Sequence, residues 1–286
     1  MISICFPVFN GDKFIEKALN ATVSQIEKNK IDARILISNN NSTDKTFAIC
    51  KKFEIKYNYI ELHNQREKIP LNENHNFLLE KVKTKYFVFH SHDDERLEGF
   101  YAECLNVLEK NNNIVLCFTH ADYVDEISNR VYREEKCENM GNGDTFNERF
   151  LNTLKNLETC AFHGIYRTDS VKKNTYLDNF LGSDHYFLNK VSCEGNFYEI
   201  KKKMMIMNEP ISKWTDGSVE NKVKKNKNDK TKNLPFLKIY FLSIIYALKK
   251  QNNLIYNFKL ILKSLNIFFK FLKNDLNFFY KNFKKY

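Results

Sequence analysis

No window of this chain reaches the about 18 consecutive apolar residues that a membrane-spanning helix needs. The nearest stretch, Leu234–Leu248, is too short and contains Pro235 and Lys238. Nothing basic, apolar and small-residue-terminated precedes the strand-like opening MISICFPVFN, so a secretory leader is not expected. The seven cysteines (Cys5, Cys50, Cys104, Cys117, Cys137, Cys160 and Cys193) form no CxxC pair. Their odd number and wide spacing argue against a zinc site or a disulfide framework; buried, reduced thiols in a cytosolic protein are expected. No internal repeat of 20–50 residues is present, which excludes a solenoid. The body also lacks basic charge. The formal net charge is +10, but residues 220–286 hold 16 lysines and three acids, a net of +13, and the first 219 residues stand at −3. This argues against a groove-binding basic body, and no nucleic acid partner is expected.

The first 120 residues alternate β-rich runs with helical stretches. Strands are predicted at Ile2–Val8, Arg34–Ser38, Tyr57–Leu62, Tyr86–His90 and Ile114–Thr119, and helices at Lys13–Glu27, Thr43–Phe53, Asn72–Val82 and Leu97–Lys110. This alternation implies an α/β fold, a mostly parallel mixed sheet flanked by helices. Such sheets bind ligands outside the carboxyl ends of their strands, beside a topological switch point. Beyond residue 122 the pattern is less regular. Tyr123–Arg133 reads as a hairpin or excursion, Asp144–Leu157 and Ser183–Cys193 as helices, and Thr159–Tyr166 and Phe197–Ile200 as strands.

Four polar segments carry candidate chemistry. Phe6-Pro7-Val8-Phe9-Asn10-Gly11, at a strand end, is by itself a turn signal. The segment from Ile37 to Thr46 (ISNNNSTDKT) is either a polar turn with a helix cap or a loop whose amides contact a base or ribose. Ser91-His92-Asp93-Asp94-Glu95 sets three adjacent acids at the mouth of an apolar strand. Their repulsion calls for solvent or a cation. Hard oxygen ligands suit Mg2+ or Mn2+ shared with a diphosphate, whereas the plain alternative is a solvated loop before the next helix. Leu181-Gly182-Ser183-Asp184-His185-Tyr186 opens a helix, with Asp184 either an N-terminal cap or a base aimed into a cleft.

In this order, FPVFNGDKFIEKAL, ISNNNSTDKT, NFLLEKVKTKYFVFHSHDD and GSDHYFLNKVSCEGNFYEI resemble the family 2 glycosyltransferases, which have the A-type nucleotide-sugar-binding fold. The resemblance covers roughly residues 1–220. It implies an inverting glycosyltransferase that moves a sugar from a nucleoside diphosphate donor, with a UDP-sugar favoured, to a hydroxyl of a glycan or lipid-linked acceptor. It also implies a divalent metal cofactor (Mn2+ or Mg2+) and a role in bacterial surface polysaccharide synthesis. By position, Pro7, Phe9, Asn39, His75 and Asp93 fall on the donor side, Asp93 and Asp94 at the metal motif, and Asp184 at the catalytic base. His163, Arg167, His185 and Trp214 fall on the acceptor side, and Gly195 matches the glycine that follows the catalytic helix. The departures are Asn39 for a base-contacting Asp, His75 for an Arg, Ser91 for the first acid of the metal motif, and Thr215 for a late His. His75 is expected to be a weaker, pH-dependent cation. The alternative function is a non-catalytic carbohydrate- or nucleotide-binding partner subunit. A nucleotidyltransferase on the same general fold leaves the GSDHYF segment unexplained.

The implied organisation is a catalytic domain over 1–217, with a nucleotide-binding part at 1–95 and an acceptor part at 96–217. A polar linker follows at 218–233, and then a basic amphipathic helical tail at 234–286. In the tail, Leu254, Ile255, Phe258, Ile261, Leu262, Leu265, Phe268, Phe269, Leu272 and Leu276 follow helical spacing, with Lys259, Lys263, Lys270 and Lys273 on other faces. Such a helix suits an anionic membrane surface, hence a cytoplasmic protein peripheral on the inner face of the cell membrane. The competing expectation is that the tail packs on the body or pairs with a second chain.

Overall fold

The computed structural model describes residues 1–125, 127–172, 175–209 and 234–283. The predicted linker, Trp214 and Thr215 lie outside the described residues. The chain folds as a mixed α/β structure around one nine-stranded sheet. β1 (Ile2–Val8) leads to α1 (Ile15–Lys28), β2 (Ala33–Asn39) to α2 (Thr46–Lys56), β3 (Ile60–Asn64) to α3 (Leu71–Lys81) and β4 (Tyr86–Phe89) to the short β5 (Glu95–Arg96) and α4 (Phe100–Lys110). β1, β2, β3 and β4 pair in parallel. All seven residues of β1 and all four of β4 are buried, as expected for central strands covered on both faces.

The second half is mixed. β6 (Ile114–Val124) forms a hairpin with β7 (Val131–Glu135), realising the predicted excursion. α5 (Phe146–Leu154) follows, opened by Thr145 and Glu148 in a reciprocal capping box. The segment predicted as one strand over Thr159–Tyr166 is instead a 3-10 turn, Cys160–His163, followed by β8 (Ile165–Arg167). The corner is possible because residue 164 is glycine: a Cβ there would lie 2.6 Å from the Cys117 carbonyl oxygen. α6 (Thr168–Lys172) and α7 (Ser183–Ser192) precede β9 (Asn196–Asn208), which runs eight residues beyond the predicted Ile200. The Lys201-Lys202-Lys203 run masks this extension in the sequence. In the fold, a register shift pairs Thr119 with Ile200 and His120 with Lys203, and Met204, Met205 and Met207 then continue the buried face.

The strand order is β3-β2-β1-β4-β8-β6-β9-β5, with β7 on β6. The chain leaves β1 toward β2 on one side and returns to β4 on the other, so the topological switch falls between β1 and β4. The crevice outside their carboxyl ends is the place where such a sheet binds ligands. Pro7 sits in this central strand at no cost to the β4 ladder, because β1 pairs with β4 only as far as Cys5 opposite Phe89.

Two tail helices complete the described chain, α8 (Pro235–Gln251) and α9 (Leu254–Phe283). They fold back on the body. Ile239, Tyr240, Ile244, Ala247, Leu260, Ile267 and Phe271 share a core with Phe150, Leu154 and Cys193 of the α5 and α7 region. Asn189 Nδ2 donates to Ser243 Oγ at 3.0 Å, and Lys250 pairs with Glu194 at 2.7 Å. Asp275 caps α8 by accepting from the backbone N–H groups of Phe236 and Leu237. Among the described residues, no helix is long and apolar enough to cross a membrane.

Candidate active site

The loops at the carboxyl ends of β1 and β2 are tied together by hydrogen bonds to side chains. The Asn10 N–H donates to Ser42 Oγ at 3.0 Å, and the Thr43 N–H donates to Asn10 Oδ1 at 2.9 Å. The Gly11 N–H donates to Thr46 Oγ1 at 2.8 Å and the Asp12 N–H to Asp44 Oδ2 at 3.2 Å. The Asn-Gly pair is therefore more than a turn. Gly11 also lies against the acidic loop: a Cβ there would meet His92 Cδ2 at 2.4 Å. Gly11→Val is expected to displace His92 and destabilise the fold by about 1–3 kcal/mol, measured as a lower urea midpoint with unchanged slope.

On the β2 side, Asn39 is buried. Its Nδ2 donates to Asn64 Oδ1 at 2.5 Å, and its Oδ1 has no hydrogen-bond partner among the described residues. Neighbouring Asn40 makes a two-bond clasp with the backbone of Ile69, which fixes the loop after β3. That loop carries Lys68, whose Nζ stands 3.7 Å from the Phe9 ring centroid. Lys68 is a cation beside the predicted donor site that the sequence motifs did not single out. Its only signal was its place in a loop after a parallel strand.

The acidic loop following β4 divides its two aspartates by environment. Asp93 is partly exposed, whereas Asp94 is buried. Burial, reinforced by the charge of Asp93, pushes the Asp94 carboxyl above its ordinary pKa, while Arg96 opposes the shift. Asn208, at the end of β9, holds this loop from the far side. Its Nδ2 donates to the Asp93 carbonyl at 2.6 Å, and its N–H donates to Asp94 Oδ1 at 3.2 Å. Asp94 Oδ2 is buried without a hydrogen-bond partner among the described residues. An orphaned carboxylate oxygen next to a second carboxylate is a donor set that fits a hard divalent cation. A cleft of about 210 Å3 adjoins this loop, lined in part by Lys17, His92, Asp93, Asp94 and Arg96.

α7 packs beside the carboxyl end of β4, with the Phe187 ring 6.4 Å from that of Phe89. Asn72 Nδ2 donates to Ser183 Oγ at 2.7 Å, and Asn76 exchanges two bonds of 2.8 Å with the backbone of Leu177, lacing α3 to the approach of α7. Asp184 lies in that first turn, partly exposed, with Oδ1 accepting from the His185 N–H at 2.9 Å. Its charge reaches His75 on α3. The floor beneath is aromatic. The Phe89 ring lies 5.0 Å from His75, 5.6 Å from Phe162 and 6.4 Å from Phe187.

Two expected roles change. His75 is not a cation at neutral pH, because burial lowers its pKa to about 4, against an opposing pull from Asp184. Arg167 does not face the acceptor side. It lies opposite Tyr86, at the amino end of β4, and its guanidinium donates to the carbonyls of Leu108, Asn111 and Ile114. It secures the α4–β6 connection at the end of the sheet remote from Asp93. His163, which follows Phe162 in the 3-10 turn, remains near the crevice, and its Nδ1 is buried without a partner among the described residues, as is that of His185.

His75, His90 and His163 all have pKa values lowered first by burial. The folded state binds fewer protons than the unfolded chain between the ordinary histidine pKa and the depressed values. Stability is therefore full above about pH 6.5 and falls as the pH drops below it. Urea unfolding at pH 7 and pH 5 is expected to show this loss, and His75→Asn is expected to reduce it.

A second group of candidate ligands lies elsewhere. Glu135, Cys137 and Cys160 are buried with ligand atoms within 4.8 Å of one another. Glu135 Oε2 already accepts from Tyr123 OH, Thr159 N and Cys160 N, and Arg133 stands 3.3 Å from Oε1. The carboxylate is committed to the protein, and thiols are poor ligands for Mg2+ or Mn2+. All seven cysteines are free and buried, as expected.

A family model described as glycosyl transferase family 2 matches residues 3–175. The chain belongs to this family. Among curated glycosyltransferases, an uncharacterized one of Rickettsia typhi is 28% identical over 133 residues, 46% of this chain and 40% of its own length. The abequosyltransferase RfbV of Salmonella typhimurium is 29% identical over 119 residues, 41% of this chain and 35% of its own. The matched region thus spans well under half the length of these relatives. Staphylococcus aureus TarS 1–349 in complex with UDP-GlcNAc superposes with a TM-score of 0.69 over 94% of this chain and 73% of its own, at 17% identity. The Pyrobaculum calidifontis mannosyltransferase PcManGT, in complex with GDP-Man and Mn2+, gives 0.56 over 93% and 75%, at 11% identity. The architecture is the A-type glycosyltransferase fold.

Proposed function

We propose that this glycosyltransferase moves a sugar from a nucleoside diphosphate sugar to a hydroxyl of a glycan or lipid-linked glycan, with inversion, in bacterial surface polysaccharide synthesis. The observation that carries the reading is the paired-aspartate loop at the β1/β4 switch point, beside a cleft and with Asp94 Oδ2 buried and without a hydrogen-bond partner among the described residues. A Bacillus subtilis relative, a minor teichoic acid biosynthesis protein, supports the surface-glycan part of the reading, and the abequosyltransferase relative supports sugar transfer. The proposed location is the inner face of the cell membrane.

In this reading the β1, β2 and β3 loops hold the nucleotide. Asn39 Oδ1, without a partner among the described residues, is an acceptor of the kind a uracil N–H needs, so Asn in place of the family's Asp keeps one acceptor oxygen while its amide nitrogen donates to Asn64. UDP-sugars are accordingly the favoured donors. Lys68 and Phe9 border the same loops. Asp93 and Asp94 would hold a divalent cation (Mn2+ or Mg2+), which when bound neutralises charge on the departing diphosphate. Asp184 takes the proton of the attacking acceptor hydroxyl. His163 and His185 each offer a buried ring nitrogen, without a partner among the described residues, for orienting the acceptor.

The test is UDP release from UDP-sugars with Mn2+ and a panel of lipid-linked and free glycan acceptors. Acceptor-dependent release is expected. Donor binding with no release under any acceptor would favour a non-catalytic binding subunit.

A further inference from the structure

The tail helix α9 is apolar on two faces, and among the described residues only one of them is packed. Leu260, Ser264, Ile267, Phe271 and Asp275 follow steps of four, three, four and four and are buried against α8 and the body. A second row, Leu254, Phe258, Ile261, Leu265, Phe269, Leu272 and Leu276, follows the same kind of spacing on another side. Leu254 is 88% exposed, Phe258 63%, Phe269 61% and Leu276 59%. The patch continues onto α8 through exposed Phe241 and Ile245. The rings of Phe241 and Phe268 are 6.0 Å apart, and those of Phe268 and Phe269 5.4 Å. At roughly 200 Å2 for a large apolar side chain, the exposed part is on the order of 1000 Å2, above the few hundred usual for a soluble monomer.

The charge beside this row selects its occupant. Lys259, Lys263, Lys270 and Lys273 are all exposed and run along one flank. The sole acid of α9, Asp275, is buried and engaged in capping α8. A second copy laid on this face would bring two lysine rows together with no α9 carboxylate between them. Residues 218–233 are polar and Lys/Asn-rich and carry no apolar row to cover it. An anionic lipid surface complements both features, taking the apolar row at the acyl boundary and the lysines at the headgroups.

We infer that the outer face of α9, extended by Phe241 and Ile245, is a docking surface for an anionic bilayer. The body is carried on the opposite, buried side of the same helix, so docking leaves the packing of α9 on α5 and α8 intact. The inference rests on the proposed membrane location, and it names the face and the residues that would produce it.

The experiment is flotation of the full chain with vesicles of phosphatidylglycerol and phosphatidylcholine in equal parts, and with phosphatidylcholine alone. Binding is expected to the anionic vesicles and to weaken with added salt. Phe258→Ser with Phe269→Ser, and separately the four-lysine change to Gln, are each expected to weaken it at least tenfold, since each lysine near such a surface is worth roughly fivefold. All six side chains are exposed, and the one hydrogen bond lost among the described residues, from Lys270 Nζ to the exposed Lys155 carbonyl at 3.1 Å, lies at the surface, so circular dichroism and UDP affinity should match the parent. Failure of the parent to float, or equal flotation of the variants, overturns the inference. So does a parent dimer that Phe258→Ser with Phe269→Ser converts to monomer while the dimer ignores vesicles. UDP binding is read separately by calorimetry, so loss of the glycosyltransferase reading and loss of the docking surface give different results.

Discussion

Asp184→Asn is expected to lower sugar transfer by about 10^3-fold while leaving the fold and donor affinity unchanged. The structural reason for the clean separation lies in its contacts. Asp184 Oδ1 accepts one short-range bond from the His185 N–H, and an asparagine carbonyl accepts the same bond. α7 is held by other means: Ser183 by Asn72, the buried face by Phe187 and Val191, and Asn189 by Ser243. What asparagine lacks is a basic oxygen to take the acceptor proton. The measurement is initial-rate UDP release with acceptor, beside calorimetry of UDP with Mn2+. Near-normal turnover of the variant would remove Asp184 from the role of base.

Asp93→Ala is expected to have a similar effect on rate by a different route. The loop should survive, because Asn208 holds Asp93 through its backbone carbonyl, which alanine retains. Asp94 loses the neighbouring charge that helps keep its pKa raised, so its carboxyl ionises more readily. Thermal stability should be unchanged or slightly higher. Transfer should fall by about 10^3-fold, and UDP affinity should lose its response to Mn2+, if the two carboxylates hold the cation as a pair. Calorimetry of UDP with and without Mn2+ reads this directly. A variant whose affinity still rises with Mn2+ to the parental extent would place the metal elsewhere.

Much of the donor half was legible in the sequence because its information is local. Alternating strands and helices gave β1 to β4 and α1 to α4 within a few residues, and the polar segments at the strand ends did gather at the switch point. The acceptor half was harder. Arg167 looked like a site residue from its place in a motif region, yet β8 runs antiparallel to β4 and carries it to the wrong end of the sheet. The length of β9 was hidden by three lysines that a bulge absorbs, and with it Asn208, which braces the acidic loop from 114 residues away.

The tail divides the two kinds of knowledge most clearly. The sequence by itself determined that residues 254–283 form a helix, that this helix is basic, and that Leu254, Phe258, Leu265, Phe269 and Leu276 share a face. Spacing and charge are properties of the chain. It did not determine which face meets the protein. The row that packs, Leu260, Ile267 and Phe271, was outside the stripe the periodicity emphasised, and the emphasised stripe is the one left to solvent. Likewise the sequence supplied a histidine at position 75, and only burial lowers its pKa to about 4 and keeps it neutral well into the acid range. Burial and partner choice depend on what other elements bring to the same place, and that is fixed only when the chain closes on itself.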